Sequence, residues 1–138
     1  MSLKSFIVSR IESRNDALID QLLKDPLYKV TKEGKVYSKL TKNGQGITDE
    51  WRELGYKKKD GYIRFRYKNE FLFVHRVVYR KYNGELKPHM TINHKNLNNS
   101  DNHYKNLELV TQKDNNNNKH KTYKKQFVEK VAKKLGTL

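Results

Sequence analysis

The 138-residue chain contains no cysteine. That excludes disulfides, a cysteine nucleophile and thiolate zinc sites. Apolar residues are also scarce, at 35%, and no apolar run approaches the roughly 20 residues that span a bilayer. Acidic side chains are few: 15 Asp and Glu stand against 30 Lys and Arg, for a formal net charge of +15. Met1 to Arg14 interleaves Phe6, Ile7 and Val8 with Lys4, Arg10, Glu12 and Arg14, so it lacks the apolar centre of a secretory signal. The expectation is a soluble, cytoplasmic chain of single-domain length with a small core.

So large an excess of cations repels itself unless a polyanion is near. Each phosphate neutralised by Lys or Arg releases condensed counterions, which makes nucleic acid the favoured partner. A membrane surface would call for one basic amphipathic helix, whereas the cations here are spread over several segments. No membrane partner is expected.

Ile7, Ile11, Leu18 and Leu22 recur at helical spacing and predict a helix over 1–25, stopped at Asp25-Pro26. From Leu27 the pattern turns to period two. Residues 28–38 read as a hairpin turning at Gly34, and Lys42 to Gly46 as a loop. A second hairpin spans 61–74 with its turn near Lys68-Asn69-Glu70: Ile63, Phe65 and Tyr67 alternate with Tyr62, Arg64, Arg66 and Lys68. One face of that ribbon is core-like and the other cationic, and such a ribbon fits a DNA major groove. The alternative is an ordinary solvated strand face.

His75 to Tyr82 predicts a short helix burying Val77 and Val78 and ending at Asn83-Gly84. A strand follows at 90–92 and runs into Asn93-His94, then a polar, Asn-rich loop from Lys95 to Lys105 and a strand over 107–110. Thr111 is positioned to cap a helix, with Asp114 completing an approximate capping box. The four asparagines at 115–118 are poor helix formers, so a purely structural helix would rarely choose them. Val128, Val131 and Leu135 form an apolar stripe among lysines, predicting a basic helix over 123–138.

The stretches VHRVVYRKYNG (74–84) and INHKNLNNSDNHYKNLELVTQKDN (92–115) resemble the HNH endonucleases of the ββα-metal class, most closely the phage and intron-encoded homing type. YKVTKEGKVYS (28–38) is similar to the β-rich module that often precedes the motif. The resemblance implies an α+β fold: an N-terminal helix (1–25), a β-hairpin DNA-binding module (26–74), a nuclease core (75–122) and a C-terminal helix (123–138). It implies hydrolysis of duplex DNA to 5′-phosphate and 3′-hydroxyl ends with Mg²⁺ or Mn²⁺, by a monomer or weak homodimer acting in a bacterial host and encoded by a phage or mobile element.

His94 matches the general base, a role that suits imidazole because it titrates near neutrality. Asn93 and Asn115 match the metal-ligand positions, where their carbonyl oxygens suit a hard cation. Asn106 matches the middle Asn of the family name and belongs to the catalytic constellation as the amide that pins the 95–105 loop and orients His94. Arg64, Arg66, Lys68, His75, Arg76, His103, Lys119 and His120 complete the set expected to contact DNA; His75 either touches phosphate or packs. Many relatives carry Asp at the Asn93 position and His or Asp at the Asn115 position. Two neutral amides hold a cation more weakly than carboxylates, which keeps open a non-catalytic DNA-binding protein on the same scaffold. A basic RNA-binding protein is a further alternative.

Overall fold

A computed structural model describes residues 3–111 and 113; for 4–13 it describes the helical backbone only. The fold is α+β. The order is α1 (Leu3–Leu23), β1 (Tyr28–Val30), β2 (Val36–Leu40), β3 (Ile47–Leu54), β4 (Tyr56–Lys57), β5 (Ile63–Tyr67), β6 (Glu70–Phe73), α2 (Val74–Tyr82), β7 (Met90–His94), a 3₁₀ turn (Tyr104–Asn106) and β8 (Leu107–Thr111). The strands form two three-stranded antiparallel sheets, β1–β2–β3 and β4–β5–β6, and a β7–β8 hairpin. The expected helices beyond Thr111, including 123–138, lie outside the described residues apart from Lys113. No described helix is long and apolar enough to cross a membrane.

The short helix α2 is the hub. It contacts α1, β1, β5, β6, β8 and the 3₁₀ turn. Val74, Val77 and Val78 recur at helical spacing and are buried, against Ile19 and Leu22 of α1, Val30 and Val36 of the first sheet, Phe65 and Leu72 of the second, and Ile92 and Leu107 of the hairpin. Its other face is cationic. Arg76 and Arg80, four residues apart, donate to Asp16 (2.6 Å) and Asp20 (2.9 Å), likewise four apart on α1. Its C-terminal end is tied by Lys81 Nζ and Tyr82 Oη, both donating to the Val30 carbonyl (2.9 and 2.8 Å). Asn83 then donates to the carbonyls of Tyr104 and Leu107.

Asp25-Pro26 ends α1 as expected, and Asp25 has a second use. Its carboxylate accepts from the Leu27 backbone N–H and from Tyr67 Oη. Burial, with the Asp25 charge beside it, pushes the Tyr67 hydroxyl up to about 12. The second hairpin has the expected alternation over 63–67, with Phe65 and Tyr67 buried. Its turn puts both Lys68 (φ 49°) and Asn69 (φ 65°) in the left-handed region, as a type I′ connection requires. Strands β3 and β4 are absent from the sequence reading because every residue of β3 except Leu54 is exposed, so no face carries an apolar alternation.

With so small a core, one deleted side chain weighs heavily. Leu22→Ala is expected to lower unfolding stability by about 2–5 kcal/mol, read from the urea midpoint at constant slope.

Candidate active site

The last two residues of β7, Asn93 and His94, are 8% and 2% exposed. Strand alternation sends them to opposite faces of the β7–β8 hairpin. His94 shares its cross-strand position with Leu107, on the face that meets α2, while Asn93 pairs with Glu108. The His94 ring lies 5.2 Å, centroid to centroid, from His75 and 5.8 Å from Tyr62. His75, 8% exposed, also packs on Tyr62 and Phe73.

His94 Nε2 is 2.8 Å from the side-chain oxygen of Asn102, itself 2% exposed. A carbonyl oxygen only accepts, so Nε2 carries the proton and Nδ1 keeps the lone pair. That Nδ1 is buried and has no hydrogen-bond partner, as is the Nδ1 of His75. Burial pulls the His94 imidazole below its ordinary value, opposed by the bond to Asn102 and the charge of Asp101. Burial pulls His75 further down, with His94 and Arg76 adding to it. The site therefore holds a neutral imidazole of set tautomer whose one basic nitrogen is enclosed and unpartnered.

Asn106 ties the 95–105 loop. Its oxygen accepts from the Asn96 backbone N–H (3.0 Å), and its nitrogen donates to the Asn96 side-chain oxygen (3.0 Å) and the Asp101 carbonyl (2.8 Å). Asn96 in turn donates to Asp101 (2.7 Å), and the side chains of Asn96 and Asn98 accept from the backbone two residues on. These are Asx turns, which is why an irregular loop here is rich in asparagine.

Asn93 donates its amide to Glu108 (2.8 Å), leaving its carbonyl oxygen available to a cation. Asn115 lies outside the described residues, as do Lys119 and His120. Among the described residues, no group of three or more His, Cys, Asp or Glu is placed to hold a metal ion. The donor chemistry fits a hard cation through oxygen, with Glu108 supplying negative charge beside Asn93.

The expected DNA-contacting residues divide. Arg64 and Arg66 share a face of β5 and lie over the ring of Phe71 (4.1 and 5.1 Å), which is 43% exposed. Lys68 leaves that face, because the left-handed turn breaks the alternation, and donates to Gln21 of α1. Arg76 is spent on Asp16. His103 stacks on Tyr104 and accepts from the Lys105 N–H through Nδ1. Three residues of the site escape the sequence reading. Tyr62 is read there as part of the cationic face, yet it precedes β5 and packs on both imidazoles. Glu108 appears only as a strand residue. Asn102 has no signal in residue type that separates it from Asn96, Asn98 or Asn99.

Residues 72–117 match the family model described as HNH endonuclease. Among solved structures, one of DNA binding and cleavage by the HNH homing endonuclease I-HmuI is similar, at 28% identity and a TM-score of 0.56 over 79% of this chain. The match spans 62% of that longer chain. None of the curated proteins matches.

The neutral imidazoles make stability depend on pH. Their folded-state values lie below the ordinary 6.5, so the stability they contribute is full above that value and is lost as pH falls through the folded values. The urea midpoint is expected to drop between pH 7.5 and pH 5, and His75→Phe to flatten the decline.

Proposed function

We propose, from the premise that the chain belongs to the HNH endonuclease family over residues 72–117, that it is a metal-dependent endonuclease of the homing type acting on duplex DNA. The observation that carries the reading is the His94–Asn102 bond, which leaves Nδ1 as a free, neutral base at the end of β7. Nδ1 is enclosed in the DNA-free structure, so the attacking water gains access to it on DNA binding and gives up its proton there, while Asn102 holds the ring as it becomes charged. Burial between Tyr62 and His75 keeps the imidazole unprotonated at neutral pH. The carbonyl oxygens of Asn93 and Asn115 would hold Mg²⁺ or Mn²⁺ together with oxygens of the DNA phosphate. When bound, the ion supplies charge stabilisation at the phosphate and the leaving 3′ oxygen.

Cleavage on that side of phosphorus leaves 5′-phosphate and 3′-hydroxyl ends, and one site per chain nicks one strand unless two chains pair. Arg64 and Arg66, with the excess of cations around them, hold the duplex in a salt-sensitive manner. The all-amide donor set favours one second reading, a non-catalytic DNA-binding protein on the same scaffold.

Supercoiled plasmid with Mg²⁺ or Mn²⁺ decides between them. Wild type is expected to produce open circles, chelator to stop the reaction, and His94→Ala to slow it by about 10²–10⁴-fold without loss of DNA binding. Plasmid that is bound yet equally intact with wild type and His94→Ala supports the second reading instead. Asn102→Ala, which frees the ring, is expected to cost activity while leaving affinity for duplex unchanged.

A further inference from the structure

The loop that carries Asn102 is held from outside the β7–β8 hairpin by two tight turns, one from each N-terminal sheet. The first is the β1–β2 turn. Its Gly34 has φ +95° and sits against Asn102: a Cβ there would overlap the Asn102 backbone and fall 2.7 Å from the Asn102 Cβ. The same turn accepts the Tyr104 N–H at the Lys32 carbonyl (2.9 Å).

The second is the turn between β4 and β5. Ser100 Oγ donates to the Gly61 carbonyl (2.7 Å) and Asn99 Nδ2 to the Asp60 carbonyl (3.0 Å). The next residue, Tyr62, then packs on His94. Asn102 is thus fixed from the Gly34 side and the Tyr62 wall from the Gly61 side, and His94 lies between them.

We propose that Gly34 is a positioning residue for His94: the side chain it lacks leaves the space that Asn102 occupies beneath the imidazole. The first N-terminal sheet therefore takes part in setting the base. This rests on the reading of His94 as the general base. A shift of about 1 Å in a group that orients a base costs up to about 100-fold in rate, and the overlap at Gly34 demands a shift of that order.

The test compares Gly34→Ala with Gly44→Ala in the full chain. Gly44 also has a left-handed φ (+74°) but nothing within 4 Å of an added Cβ, so it carries the backbone strain without the contact. Three quantities are measured: nicking of bound plasmid under single turnover with Mg²⁺, affinity for duplex in chelator, and the imidazole nitrogen shifts of His94, which report its tautomer. Gly34→Ala is expected to slow nicking about 10–100-fold, to change affinity by less than about twofold and to abolish the single Nε2–H signature. Gly44→Ala is expected to change none of the three.

Equal losses in the two variants, or an unchanged His94 signature in Gly34→Ala, overturn the proposal. Should wild type itself leave plasmid uncut, the nuclease reading fails while the tautomer comparison still decides the role of Gly34. Should Gly34→Ala not fold, Thr31→Ala carries the test. It removes the hydroxyl that accepts from the Lys35 N–H and braces the Gly34 turn. It is expected to blur the His94 tautomer and to slow nicking about threefold to tenfold; a wild-type signature and rate in this variant overturn the proposal.

Discussion

Both sheets, the β7–β8 hairpin and helix α1 lean on one nine-residue helix. A chain with so few apolar residues cannot build a separate core for each sheet, and α2 resolves this by serving all of them. Its Val74-Val77-Val78 face reaches both three-stranded sheets and the hairpin, while its arginines engage the aspartates of α1. Half-exposed ion pairs of this kind are individually worth about 0–1 kcal/mol. Their matching four-residue spacing sets the register of the two helices more than it adds stability.

That economy shapes the site. His75 is the second residue of α2, so the helix that organises the core also supplies a wall against the His94 ring. Burial is what makes an imidazole there useful: it keeps the ring neutral, and the single bond to Asn102 keeps the proton on Nε2. The asparagines of the neighbouring loop are structural for the most part. They replace regular backbone pairing by bonds to one another and to nearby N–H groups, so a segment that resembles low complexity is a defined turn-rich scaffold.

Much of this was legible from residue order. Asp25-Pro26, the alternation over 63–67 and the valine pair of α2 each carry a local signal that tertiary packing did not override. His94 and Asn93 stood out through the resemblance of residues 92–115 to the HNH motif. What the order could not show was pairing across the chain. Asn102 lies eight positions beyond His94 among chemically identical neighbours, and Arg76 turns inward because Asp16 lies opposite. Lys68 departs from its expected face because two consecutive left-handed residues reset the alternation.

Among the described residues, strand β3 pairs with β2 along one side only and has no partner strand on its other side in that sheet. An open row of backbone N–H and C=O groups invites another chain to add itself. The sequence of β3 answers this with Asp49, Glu50, Arg52 and Glu53 in close succession. Lys29 and Lys39 reach over the one large aromatic, Trp51, at 5.2 and 4.9 Å. Three acidic side chains, an arginine and an indole covered in part by two lysines give that border the charge that blunts an open edge.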